Sequence, residues 1–173
     1  TVFHGSAPGS NFDTFANVNT QSMTSDPWSA LVKADMDIAL SGNGSLNGFV
    51  ITPMGRGILL GATDGNDRPL FVNSVAEGAI PRLIGHPVYA SKAAYKAGLS
   101  PAESVVGFAG DWTQAMYGTV EGIKIDMSNQ ATLTISNQAV NLWERNMFAV
   151  RAEIEVGFRA DTTVFNKLTR AHS

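Results

Sequence analysis

The 173-residue chain contains no cysteine, which excludes disulfides, thiolate nucleophiles and cysteine-built metal centres. Charge is scarce as well. Only 16% of residues are Asp, Glu, Lys or Arg, against about a quarter in ordinary soluble domains, and this shortage hints at surface that something else covers. Positive charge is not in excess, because 12 Lys and Arg stand against 15 Asp and Glu for a net −3, and the cations are dispersed. That excludes the basic stripe with which proteins grip nucleic-acid phosphates. Long hydrophobic runs are missing, so nothing reads as a membrane span. The start, Thr1-Val2-Phe3-His4-Gly5-Ser6, has neither an initiator Met nor a charged-then-apolar leader, and is expected to be a processed or trimmed piece of something longer.

What is present is a globular composition, 44% hydrophobic, in a chain long enough to bury about 70% of its unfolded surface as one domain or two small subdomains. The strongest local pattern is Phe148 to Arg159, where every even position is apolar and the odd positions include Arg151, Glu153, Glu155 and Arg159. Period two predicts one long strand with one face in a core and one face polar. Its mixed charges suit a ladder of ion pairs, either with a neighbouring strand or with another subunit.

Along the chain, residues 1–24 read as an irregular lead-in with isolated Phe3, Phe12 and Phe15. Ser25-Asp26-Pro27 predicts a helix start, with Trp28, Leu31, Val32, Met36, Ala39 and Leu40 on its apolar face and Gly42-Asn43-Gly44 as its end. Gly48 to Ile51 reads as a buried strand, and Thr52-Pro53 as the cap of a second helix through Met54, Ile58 and Leu59. Residues 63–67 read as a turn. Arg68 to Phe71, Gly85 to Tyr89 and Ser104 to Phe108 read as short edge strands. Asp111-Trp112 opens a helical turn, strands follow at Val120 to Met127 and Ala131 to Ile135, and Thr163 to Leu168 is left as helix or strand. Elements mixed without an alternating rhythm indicate an α+β fold.

Motifs with chemistry are approached and missed. Tyr89 and Lys92 sit three apart, where short-chain dehydrogenases need four, and Gly55 to Gly61 does not fit a dinucleotide-binding GxGxxG loop. Asp64-Gly65-Asn66-Asp67 resembles a calcium-loop fragment, but Val75 stands where the bidentate Glu belongs. His4, His86 and His172 have no second His at metal-ligand spacing. Ser6 lacks a GxSxG frame, and nothing selects among Glu103, Asp111, Glu121 and Asp126 for acid–base work. No catalytic, cofactor-binding or metal residue is nominated, and the chain is not expected to be an enzyme.

Phe3-His4-Gly5-Ser6, the Trp28 helix and Phe49-Val50-Ile51-Thr52-Pro53 are followed in order by Asp67-Arg68-Pro69-Leu70-Phe71, Leu83-Ile84-Gly85-His86-Pro87-Val88, Val106 to Trp112 and Asn146 to Glu153 with Gly157-Phe158. This order resembles the C-terminal half of tailed-phage major capsid proteins of the Hong Kong 97-like family. The resemblance implies an HK97-like α+β capsid fold, with residues 1–24 joining the domains, an axial domain over 25–111, and strands of the peripheral domain over 112–173. The family's N-terminal arm, extended loop and spine helix would lie upstream of Thr1. It implies a structural shell subunit that assembles as a homo-oligomer of pentamers and hexamers around double-stranded DNA, without sequence-specific binding. Scaffold, protease and portal proteins are further implied partners, with no membrane and no cofactor, and the location is the virion, with the host cytoplasm before assembly. Arg151, Glu153, Glu155 and Arg159 become candidates for contact between subunits. Some members crosslink a Lys to an Asn with help from a Glu, and by position Asn146 and Glu153 match that acceptor and base. The bland roles are a backbone contact for Asn146 and an ion pair with Arg151 for Glu153. The alternatives are an encapsulin-type nanocompartment shell, a small-molecule oxidoreductase built on Tyr89 and Lys92, and an adhesion or tail module.

Overall fold

Asp26 starts the first helix, α1 (Pro27–Ser41): its Oδ1 accepts from the backbone N–H groups of Trp28 at 3.0 Å and Ser29 at 3.2 Å, satisfying donors that have no partner inside the helix. The computed structural model describes residues 2–5, 9, 12–41, 43–64, 66–68, 82–98 and 102–171. The buried face of α1 is Ala30, Leu31, Ala34 and Ile38, while Met36 and Leu40 lie exposed, Leu40 at 82%. Of the expected face Leu31 is buried, but Met36 and Leu40 are replaced in it by Ala30, Ala34 and Ile38. Small residues let the helix lie close enough for Asn166 Nδ2 to reach the Ala34 carbonyl at 3.5 Å.

The chain divides into two compact units, residues 1–116 with 158–173 and residues 117–157. The first is organised by a six-stranded sheet. Its strands are β1 (Asn19–Ser22), β2 (Gly48–Ile51), β3 (Arg82–Leu83), β4 (His86–Ala90), β5 (Ser104–Gly110) and the last strand of the chain, β12 (Phe165–Arg170). They lie in the order β1-β12-β5-β2-β4-β3, with β1 parallel to β12, β2 parallel to β4 and the other pairings antiparallel. Two strands read as edges are internal. All of β5 is buried between β12 and β2, and β4 lies between β2 and β3. Of the expected strand Arg68 to Phe71, only Arg68 is among the described residues.

Asn166 faces α1, so Phe165 beside it points to the opposite face, where it stacks on Phe15 at 4.4 Å between ring centroids. Phe3 and Phe15 also meet Phe108 at 5.0 and 5.9 Å. Phe3 and Phe15 of the lead-in thus cover the second sheet face, with a short 3-10 turn at Phe15–Asn17 and β1 at the sheet edge. The second helix, α2 (Pro53–Leu60), begins where expected: Thr52 Oγ1 accepts from Gly55 N at 3.0 Å and donates to the Val106 carbonyl at 2.8 Å. A Cβ on Gly55 would sit 2.5 Å from that same carbonyl, so this glycine permits close packing of α2 on β5. The run Gly55 to Gly61 is thus helix and its cap, not a phosphate-binding loop. Thr163 to Leu168 resolves into a 3-10 turn (Thr162–Val164) running into β12.

The unit of residues 117–157 is made of short ribbons. Of the expected strand from Val120 to Met127, Lys124 to Met127 lies in β7 (Lys124–Ser128), while Val120 to Gly122 bend between it and β6 (Ala115–Thr119). β8 (Thr132–Ile135) pairs with a strand that had not been anticipated, β9 (Gln138–Asn141), through Ser136 and Asn137 at φ 50° and 62°. Left-handed conformation at both turn residues matches the right-handed twist of a hairpin. The single long strand read from period two is broken at Ile154-Glu155 into β10 (Ala149–Glu153), which pairs with β7, and β11 (Val156–Ala160), which pairs with β6. Among the described residues no helix is long and apolar enough to cross a membrane.

Candidate assembly site

The ribbon of β7 and β10 is antiparallel, with Val150 opposite Met127, Arg151 opposite Asp126, Ala152 opposite Ile125 and Glu153 opposite Lys124. Pleating therefore sorts the side chains into two faces. On the charged face Arg151 Nη2 reaches Asp126 Oδ2 at 3.0 Å and Glu153 Oε2 at 3.2 Å. Two of the four expected ladder residues thus pair with each other, joined by Asp126 from the neighbouring strand. Glu155 falls in the break between strands. Arg159 lies in the other unit, where it pairs with Asp13 at 3.6 Å.

The other face carries Ile125 (65% exposed), Met127 (70%) and Val150 (56%), flanked by exposed Ile123, Phe148 and Ile154. The expectation that the apolar side of Phe148 to Arg159 lies in the core of the chain holds at Phe158, which packs on Phe12 and Phe15, and is overturned along β10, where Val150 is exposed. Energies rank the two faces. Exposed ion pairs contribute about 0.2–1 kcal/mol each, whereas covering one large aliphatic side chain contributes roughly 1.5–3 kcal/mol. A contiguous apolar row of this kind marks an interaction surface, and the apolar face, not the charge ladder, would dominate its energetics.

Beyond β9 the chain makes a tight tip before β10. Asn141 Oδ1 accepts from Trp143 N at 3.1 Å, Asn146 N donates to the Trp143 carbonyl at 3.2 Å, and Met147 N donates to the Leu142 carbonyl at 2.9 Å. Leu142 and Val140 are buried beneath, while Trp143 is 68% exposed. Asn146 sits at φ 51°, a conformation asparagine tolerates better than most residues. Its side chain makes no hydrogen bond among the described residues, so the backbone contact suggested for it is replaced by a turn-forming role. Sequence reasoning passed over Trp143, Glu144 and Arg145, although an apolar ring between Asn141 and Asn146 was a usable signal.

The remaining chemical candidates are dispersed and structural. Glu103 accepts from the hydroxyls of Thr169 at 2.5 Å, Ser22 at 2.7 Å and Thr24 at 3.0 Å. The Thr169 bond leads in holding its carboxyl below the usual range against partial burial, with Ser22 and Thr24 assisting. Asp111 is buried. Burial pushes its pKa up, but donors from Thr113 and Ser45 pull it further down, to a net lowering. Asp126 is committed to Arg151, and Glu121 is exposed. Asp64 caps its turn and pairs with Arg68 at 2.9 Å, which replaces the calcium-loop reading. Tyr89 is half-exposed on β4 and Lys92 opens the 3-10 turn after it. His4 bonds the Ala94 carbonyl at 3.0 Å, and burial leads in lowering its pKa, assisted by Lys96 and Lys167. His86 lies on β4, while Ser6 and His172 fall outside the described residues. Among the described residues no group of three His, Asp or Glu is placed to hold a metal.

The model of the phage capsid family matches residues 6–161. This chain belongs to that family. It is 36% identical over 126 residues to the probable major capsid protein gp17 of Mycobacterium phage D29, a match covering 67% of this chain and 38% of that protein. The gp17 protein of Mycobacterium phage L5 is 36% identical over 122 residues, covering 65% and 36%. Among solved structures, a chain of Mycobacterium phage Adephagia superposes with a TM-score of 0.72 at 18% identity, covering 99% of this chain and 59% of that one. A chain of Gordonia phage Cozz gives 0.72 at 18% identity, covering 100% and 56%. The fold is thus the HK97-like α+β capsid fold, and this family chain spans between about a third and three-fifths of the relatives' lengths. Its family is structural rather than enzymatic.

Proposed function

We propose that this chain is part of a structural shell subunit that assembles with copies of itself, as pentamers and hexamers, into the icosahedral head of a double-stranded DNA phage. The observation that carries the reading is the uncovered apolar face of β7 and β10 in a member of the phage capsid family: a 41-residue unit, residues 117–157, leaves its best hydrophobic row in solvent, where a second surface would gain by covering it. The net charge of −3 suits a container that encloses DNA without gripping it. On this reading the axial domain holds residues 25–111 and also takes in β12, which the sequence reading placed among the peripheral strands of 112–173 but which pairs with β5, and the ribbon unit of residues 117–157 belongs to the peripheral domain. Scaffold, protease and portal proteins act with the subunit, which passes from the host cytoplasm into the virion.

The test is electron microscopy and sedimentation of the product of the complete reading frame, expressed with the head genes of its phage. Uniform closed particles containing DNA are expected. A small discrete oligomer, with all coat partners supplied, would sink the proposal. Within the same reading, exposed Asn146 is available as the acceptor of an isopeptide bond, in which a lysine amine of a neighbouring subunit attacks the side-chain carbonyl and ammonia leaves. Glu153, 3.2 Å from Arg151 Nη2, would serve as the base. Particles that give only monomer bands on a denaturing gel would remove this chemistry and leave the shell role intact.

A further inference from the structure

We infer that the tip at residues 141–147 is a contact between copies of this chain, with Trp143 as its anchor and Glu144 of one copy paired to Arg145 of the next; the inference rests on the shell reading above. Three features converge. Trp143 projects 68% exposed from a turn whose backbone is fully tied, by the Asn141 side chain at 3.1 Å and by the Asn146 to Trp143 and Met147 to Leu142 bonds at 3.2 and 2.9 Å. The turn is footed on Leu142, which is 1% exposed, and is joined to Ala131 through a 3.1 Å backbone bond. A large apolar ring on a mobile loop would cost ordering entropy on binding, but a ring on a tied turn does not, and this is how contact surfaces present their few dominant residues.

The second feature is charge. Glu144 and Arg145 are both exposed beside the indole, and among the described residues neither side chain has a hydrogen bond or ion pair. Elsewhere in the same unit the comparable pair, Arg151 and Asp126, is closed at 3.0 Å. Adjacent residues of opposite sign make the tip self-complementary. Around a symmetry axis relating identical tips, each Glu144 meets an Arg145 and each Arg145 meets a Glu144, with the indoles covering one another at the centre. The third feature is that no other partner chemistry fits as simply. A nucleic acid would need an excess of cations, and an acidic or basic peptide would leave one of the two charges facing its own sign.

The experiment uses the complete reading frame and four variants: Trp143→Ala, Glu144→Arg, Arg145→Glu and the double reversal Glu144→Arg with Arg145→Glu. Shell yield is read by sedimentation and negative-stain microscopy, and folding by circular dichroism and the urea midpoint of dissociated subunits. Trp143→Ala is expected to lower shell yield at least about tenfold with an unchanged midpoint. Each single reversal is expected to lower it as well, because identical tips then present like charges. The double reversal, which swaps both signs on every copy, is expected to return the yield to near that of the unsubstituted protein. Wild-type yield from Trp143→Ala, or a double reversal no better than its parts, overturns the tip contact while leaving the shell reading standing. Failure of the unsubstituted protein to form closed particles overturns the shell reading, and the tip contact with it.

Discussion

Phe108 and Val150 occupy equivalent kinds of position, each on the apolar side of an antiparallel strand, yet Phe108 is fully buried and Val150 is 56% exposed. The sheet unit closes its apolar faces itself, with α1 on one side and Phe3 and Phe15 on the other. The ribbon unit leaves Ile125, Met127 and Val150 open. The difference teaches that amphipathic alternation reports which side of a strand is apolar, whereas coverage depends on a second layer that the strand does not carry.

The largest effect that would sharpen this comparison is Phe108→Ala, expected to cost about 3–5 kcal/mol of stability in urea unfolding of the dissociated subunit, because the ring is packed by Phe3, His4 and Phe15. A loss under about 1 kcal/mol would mean that the sheet unit is not the stable core described. Asp111→Ala comes next, at about 2–3 kcal/mol, since this buried carboxylate accepts from Ser45 N at 3.1 Å, Asn47 Nδ2 at 2.6 Å, and Thr113 N and Oγ1 at 3.1 and 2.6 Å.

Asp111 and Glu103 both titrate lower folded than unfolded. The unfolded chain therefore takes up protons first as pH falls. Their contribution is complete above the ordinary carboxylate range and is lost as pH drops through the lowered folded values. Urea midpoints measured down a pH series should fall less steeply in Asp111→Ala than in the unsubstituted protein; parallel curves would refute the role given to Asp111.

In the ribbon unit the effects on the dissociated subunit should be small. Arg151→Ala is expected to cost about 0.2–1 kcal/mol, less at high salt, because both its pairs are exposed. Val150→Thr should change the urea midpoint by no more than about 0.5 kcal/mol equivalent while lowering shell yield. A large destabilisation from Val150→Thr would show that this face is already covered within the subunit and would erase the contrast between the two units.

Local signals were readable wherever a residue acts on its immediate neighbours. Asp26 and Thr52 were recognisable as helix caps because a cap bonds only two or three positions ahead. Asp111 was recognisable as the start of a helical turn for the same reason, with its carboxylate on Thr113 N. The α1 face was misjudged because side-chain size was weighed, while the close approach of Asn166 to Ala34 favours small residues. Strand β9 escaped notice because Ser136-Asn137 lacks the glycine that usually signals a two-residue hairpin. Of the candidate contact residues, the pairing of Glu153 with Arg151 followed from alternation, but Asp126 as their cross-strand partner required the register.

The sequence by itself determined composition, the absence of thiol chemistry, the helix caps, the alternating apolar and charged faces around Val150, and the order of segments by which the family is recognised, since each depends on residue type or on short spacing. Only the tertiary structure decided that β12 returns to the first sheet between β1 and β5, that Phe15 and Phe165 meet at 4.4 Å, that the long strand breaks at Ile154-Glu155, and that the apolar face of β10 stays open. Those outcomes turn on contacts between residues far apart in the chain, and the entropy of closing such loops depends only weakly on the sequence between them.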